Sequence, residues 1–306
     1  MLKIIFKLLP LILLFGCVEK VPVTWEERIV HKQVKAMPLV YNEYGSKSNP
    51  TLLFIHGFGE NRHTWRFLVP HLARKYHLVM IDLKGFGESP KIEDEFYSVY
   101  DQAYIVDAFM KEKGLTDVTV IGRSFGGGVA LVLALLQQDA LIEKRINKMV
   151  LINSMSYKQN LPSMLRNLNK PIIGYLGIHL LSNHYMAEEA YRYAFYNNKL
   201  IPKESVDVAS TYLGFPSAKY AYLKTVNQLV PEDIERVQKR FSEITLPTLL
   251  LWGVEDVAIG VSKAYRLHRE LPNSHLRLFS KAGHMPQEEI PKEVSIEIKK
   301  FMEGSR

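Results

Sequence analysis

Residues 118–131 read VTVIGRSFGGGVAL. Val118, Thr119, Val120 and Ile121 are the β-branched residues a buried strand prefers. From Phe125 onward the apolar residues continue as a helix would, yet Gly126, Gly127 and Gly128 fall in its first turn, where glycine weakens a helix. Ser124 lies between, with Gly122 and Gly126 two residues to either side. Glycines in that arrangement mark a junction where backbone segments approach too closely for a Cβ.

Working outward, six more β-type runs accompany Val118–Gly122: Leu39–Tyr44, Thr51–Ile55, Leu78–Leu83, Lys148–Asn153, Pro247–Trp252 and His275–Phe279. Between them, Trp65–Tyr76, Val99–Lys113, Phe125–Gln138, Val261–Leu271 and Pro291–Met302 carry apolar residues at three- and four-residue spacing, the mark of helices. This alternation predicts an α/β fold, a mostly parallel sheet with helices on both faces. One interval departs from it. Residues 155–242 show helical patterns rich in Tyr and Leu, among them Ile172–Ser182 and Met186–Tyr196, and no core strand. They read as a helical cap inserted into a core of 37–154 and 243–306.

In an open parallel sheet ligands bind at the carboxyl ends of the strands. Gly122-Arg123-Ser124-Phe125-Gly126 at such an end has the G-x-S-x-G pattern, a strained turn that exposes a serine hydroxyl at a helix N-terminus. A serine needs a base to become a nucleophile. Of ten histidines, His284 follows the last β-type run in a glycine-containing loop, AGHMPQ, on the same rim as Ser124. His31, His63, His71, His77, His179, His184, His268 and His275 sit in helical or surface contexts and are assigned no chemistry. An acid must orient the imidazole. LLLWGVED, 249–256, ends a strand with two acids, of which Asp256 is the candidate and Glu255 the fallback. Acyl transfer also needs oxyanion donors. Backbone N–H groups of the loop His56-Gly57-Phe58-Gly59 and that of Phe125 are placed to serve, with His56 shaping the loop.

At this point the chain resembles the α/β-hydrolase superfamily over nearly all of 37–303. HGFGENRHTW (56–65), DLKGFGES (82–89), GRSFGG (122–127), LLLWGVED (249–256) and AGHMPQEE (282–289) carry the likeness. The resemblance implies Ser124 as nucleophile, Asp256 as acid, His284 as base and the N–H groups of Phe58 and Phe125 as oxyanion hole. The order Ser…Asp…His is that of the superfamily. Haloalkane dehalogenases and epoxide hydrolases of this fold carry Asp at the elbow, where this chain has Ser124. Carbon–carbon bond hydrolases usually have Asn before the serine and an aromatic after the histidine, where Arg123 and Met285 stand here. Asp256 is followed by Val257-Ala258-Ile259-Gly260, without the proline often found there. The likeness points to the esterase and monoacylglycerol-lipase-like branch, acting on short- or medium-chain acyl esters without metal or organic cofactor. Amide or carbon–carbon bond hydrolysis, or a binding lipoprotein on a hydrolase scaffold, are the alternatives.

The first residues are of another kind. MLKIIFKLLPLILLFGCVEK has a short cationic lead, Lys3 and Lys7, then an apolar run too short to span a bilayer, where about 20 residues are needed. Residues 1–16 read as a signal peptide. Leu14-Phe15-Gly16-Cys17 resembles a bacterial lipobox, which makes Cys17, the chain's one cysteine, the expected lipidation site and 17–36 a tether. The expected location is the cell envelope, held by the lipid at a membrane. A lone cysteine cannot form an intramolecular disulfide. The formal charge of +7 falls to +5 without Lys3 and Lys7, and no basic block suggests a nucleic-acid partner.

Overall fold

The computed structural model describes residues 21–30, 35–158 and 160–304. The segment 1–16 and Cys17 lie outside the described residues. Strands β1 (Tyr41–Tyr44), β2 (Thr51–Ile55), β3 (His77–Ile81), β4 (Val118–Arg123), β5 (Ile146–Ile152), β6 (Thr248–Gly253) and β7 (Ser274–Phe279) form one sheet in the order β1-β3-β2-β4-β5-β6-β7. β1 is antiparallel to β3, and every other neighbouring pair is parallel. The α/β-hydrolase expectation is met: each β-type run lies within two residues of a strand.

Alternate residues of the inner strands enter two separate cores. Leu53 and Ile55 pack with Val106, Val129, Leu133 and Leu267, while Leu52 and Phe54 pack with Trp65, Leu68, Val294 and Ile298. Helices Val99–Glu112, Phe125–Gln138 and Ser262–Glu270 therefore cover one face, and Pro291–Met302 with the turns from Arg62 to Leu72 covers the other. Burial on both faces explains why the inner strands read as mostly apolar runs, while the edge strands β1 and β7 carry polar residues and are partly exposed. Phe125–Gln138 is buried from Phe125 through Leu136, which suits a helix apolar all round. Val99–Glu112 starts at a capping box, Ser98 with Asp101, that satisfies two of its orphan donors.

The described part of the expected tether packs against this core. Trp25, Arg28 and Ile29 are buried. The Arg28 guanidinium donates to the carbonyls of Val21, Pro22 and Glu95 and lies 3.7 Å from the Asp101 carboxylate. These partners offset the cost of taking a guanidinium out of water, a compensation no local pattern announces.

Between β5 and β6 come helices Ser163–Leu168, Pro171–Leu180, Asn183–Ala194, Lys203–Leu213 and Ala218–Asn227, and among the described residues no strand interrupts them. They lie over the carboxyl ends of the strands and enclose a cavity of about 570 Å³ with a mostly apolar lining, within the usual range for small-molecule sites.

Candidate active site

Five neighbouring strands deliver one residue each to the same rim. In sheet order β2, β4, β5, β6 and β7 are followed by Phe58, Ser124, Asn153, Asp256 and His284. Ser124 begins the helix Phe125–Gln138 at φ 50°, ψ −117°, a region L-residues rarely occupy. The flanking glycines are required by contact. A Cβ on Gly122 would stand 2.4 Å from the Gly126 carbonyl oxygen, and one on Gly126 would stand 2.2 Å from that of Ile55. The strain is held in place by hydrogen bonds at both ends of the turn. The Ser124 N–H donates to Ile152, and its carbonyl accepts from Gly127 and Met155.

The side chains expected together are together. The Ser124 hydroxyl lies 3.0 Å from His284 Nε2, and His284 Nδ1 lies 2.7 Å from Asp256 Oδ2. An ionised carboxylate only accepts, so Nδ1 carries the proton and Nε2 is free to take one from the serine. Asp256 Oδ1 accepts the N–H groups of Ala258 (2.7 Å) and Ile259 (2.9 Å). The stretch that lacks the family's usual proline thus supplies amide donors. Burial pushes the Asp256 carboxyl up, but the charge and hydrogen bond of His284, the Ile259 amide and Asn153 outweigh it and hold the group below its ordinary value. Glu255, the fallback acid, instead accepts the Ala282 N–H at 3.2 Å and has no bond to His284.

Phe58 and Phe125 both line the cavity beside Ser124. Phe125 is the first residue of its helix, so its N–H has no intrahelical acceptor. The Phe58 N–H meets no acceptor among the described residues. His56 does shape the loop. Its Nε2 accepts the Leu83 N–H at 3.0 Å while Nδ1–H donates to the Gly57 carbonyl at 2.7 Å, and burial lowers its pKa.

Sequence reasoning missed two positioning groups. Asn153, fully buried just past β5 at φ 44°, donates to Asp256 Oδ2 at 2.5 Å. Its position at the end of a β-type run was visible, but its partner was not. Arg123, next to the nucleophile, donates twice to the His284 carbonyl, at 3.2 and 2.8 Å, and pairs with Glu60. Glu60 in turn accepts the Gly57 N–H at 2.8 Å. One buried ion pair therefore ties the histidine loop to the loop that carries Phe58. The cap is tied to the same loop. The His284 N–H donates to Ala194 at 2.7 Å, and Glu289 accepts N–H groups from Tyr196, Gly283 and Met285.

This arrangement predicts a separation of stability from rate. Arg123→Met alone strands Glu60 in the interior and should cost about 3–5 kcal/mol of stability. The double variant Glu60→Met/Arg123→Met removes both charges and should recover part of that loss, staying below the parent because the Gly57 N–H and the His284 carbonyl lose these partners. Its kcat should still fall about 10–100-fold, because neither catalytic loop is held to the other. Calorimetry and steady-state kinetics on both variants check this. Parental kcat in the double variant would reduce the pair to a structural contact.

Comparison with known proteins agrees with this fold. Residues 50–291 match the family model described as alpha/beta hydrolase fold. The chain is 26% identical to an uncharacterized hydrolase, YugF, of Bacillus subtilis (strain 168), over 88% of this chain and 96% of that one. It is 27% identical to Lipase 3 of Moraxella sp. (strain TA144), over 87% of this chain and 81% of that one. Among solved structures, a membrane phospholipase A described as a bacterial virulence factor superposes with a TM-score of 0.68 at 26% identity, covering 87% of this chain and 82% of that one.

Proposed function

This chain belongs to the α/β-hydrolase fold family, and on that footing we propose that it is a serine hydrolase cleaving carboxylic esters with short- to medium-chain or monoacylglycerol-like acyl groups. One observation carries the reading: an unbroken hydrogen-bonded series from the Ser124 hydroxyl through His284 to Asp256, at the base of an apolar cavity. In the proposed reaction His284 Nε2 takes the hydroxyl proton as Ser124 Oγ attacks the ester carbonyl. The oxyanion accepts the N–H groups of Phe58 and Phe125, then collapses as the alcohol leaves with the proton from His284. Water, deprotonated by His284, attacks the acyl-serine, and as the acid departs His284 returns that proton to Ser124 Oγ, restoring both groups. Asp256 holds the imidazole in the tautomer that permits both transfers and stabilises its cation.

The similarity to lipases and to a membrane phospholipase favours a lipid-like ester over an amide. Ser124, where epoxide hydrolases and dehalogenases carry Asp, speaks against those chemistries. Lipidation at Cys17 and retention at a membrane complete the proposal. Full-length protein is expected to take up a fluorophosphonate at Ser124 and to hydrolyse p-nitrophenyl esters faster than aminoacyl-naphthylamides or dienones. Absence of the label would leave a binding protein, and faster amide or dienone turnover would replace the ester assignment. Cys17→Ser should release the protein from membranes, and retention would remove the lipid anchor from the proposal.

A further inference from the structure

The cap helix Pro171–Leu180 carries two apolar stripes with different surroundings. Ile173, Gly177 and, just past its end, Leu181 line the mouth of the cavity above Ser124, where Ile173 and Leu181 are themselves 52 and 47% exposed. Gly174 and Ile178 are buried within the cap. Ile172, Leu176 and Leu180 repeat at the same four-residue spacing but face outward, 76, 49 and 78% exposed, with Tyr175 beside them. A helix this apolar on every side belongs in a core or against an apolar phase, and here the outer stripe is uncovered. A contiguous apolar surface at the mouth of an apolar cavity marks an interaction site.

The charges choose the occupant. Between residues 159 and 187 the sequence has Arg166 and Lys170 and no Asp or Glu. Both are exposed. Arg166 donates to the Leu161 carbonyl and Lys170 to the Asn167 side chain, and neither meets a carboxylate among the described residues. Exposed cations flanking an apolar stripe with tyrosines, Tyr175 and Tyr185, match an anionic membrane surface, where headgroups take the cations and the aromatic rings sit at the boundary. Chain entry agrees. Arg28 holds Val21 and Pro22 to the Glu95 carbonyl, to which Gln228 of the cap also donates, while Lys224 pairs with the Glu95 carboxylate. Val21 and Pro22, a few residues after the expected lipidation site, thus lie on the cap side.

We propose that the outward stripe of Pro171–Leu180 seats the cap on an anionic phospholipid bilayer, with Ile173, Gly177 and Leu181 leading an ester from the lipid into the cavity. Docking stands apart from the proposed chemistry, and only the delivery step rests on it. The test uses full-length Cys17→Ser protein bearing Leu176→Cys, labelled at 176 with an environment-sensitive fluorophore. A second protein bears Lys47→Cys in the turn before β2, at the opposite end of the sheet. On vesicles of phosphatidylcholine and phosphatidylglycerol the label at 176 should shift to the blue and be quenched by spin-labelled lipid, while that at 47 stays in water. An aqueous label at 176 on vesicle-bound protein overturns the proposal. So does a blue shift without vesicles that grows with protein concentration, which would assign the stripe to a second copy of the chain.

A functional arm separates docking from chemistry. Ile172→Glu/Leu176→Glu/Leu180→Glu should lose at least about tenfold turnover of an ester embedded in those vesicles, with a short soluble ester hydrolysed at the parental rate. Equal turnover of the embedded ester would count against the delivery step. If parent and variant hydrolyse neither ester while the label at 176 still enters lipid, the ester assignment fails and docking stands.

Discussion

Ser124→Ala and Ser124→Gly should both lose ester turnover by about 10⁴- to 10⁶-fold, yet the glycine variant should be the more stable of the two. Either change removes the hydroxyl that His284 Nε2 faces at 3.0 Å. Only glycine also removes the Cβ that makes φ 50°, ψ −117° unfavourable. Such backbone strain costs on the order of 1–3 kcal/mol, and the extra entropy of an unfolded glycine returns about 0.5–1. The net advantage over alanine is about 1 kcal/mol, or a melting temperature roughly 1.5–2 °C higher for a chain of this size. Kinetics on a soluble ester and calorimetry of both variants measure the two effects together. More than a hundredth of parental kcat in Ser124→Ala would place the nucleophile elsewhere. Equal melting temperatures would mean the turn stores no strain.

Asp256→Asn should lower kcat by about 10⁴-fold with little change in KM, by analogy with other serine hydrolases in which the amide favours the wrong imidazole tautomer. The amide cannot act only as an acceptor toward His284 Nδ1–H and the N–H groups of Ala258 and Ile259. The same substitution carries a pH signature. The Asp256 pKa is lowered in the fold, so the carboxylate contributes stability above its unfolded value near 3.9 and loses that contribution as pH falls through the folded value. The stability deficit of Asp256→Asn should therefore be full at neutral pH and shrink in acid below about pH 4. A deficit that persists unchanged in acid would trace it to packing.

The fold and the reacting side chains were legible because each has a local cause. β-branched runs mark strands buried on both faces, the glycines of GRSFGG mark a turn with no room for a Cβ, and Asp256 and His284 each stand just past an apolar strand. The groups that orient them were not legible. Asn153 looks like the ordinary end of a strand until β5 is placed between β4 and β6. Arg123 fills the free position of the elbow motif, and its partners lie 63 and 161 residues away in the sequence. Arg28 resembles a surface cation of a tether, yet it is fully buried because distant carbonyls and Asp101 converge on it.

The sequence by itself determined the alternation of strands and helices, the strained serine turn and the residue types of the reacting trio, since these follow from periodicity, sterics and short-range chemistry. Only the tertiary structure decided that five neighbouring strand ends meet at one rim, that Asn153 and Arg123 hold the acid and the histidine loop, and which side of Pro171–Leu180 stays uncovered. Those outcomes depend on strand order and on partners far apart in the chain, which a local pattern does not encode.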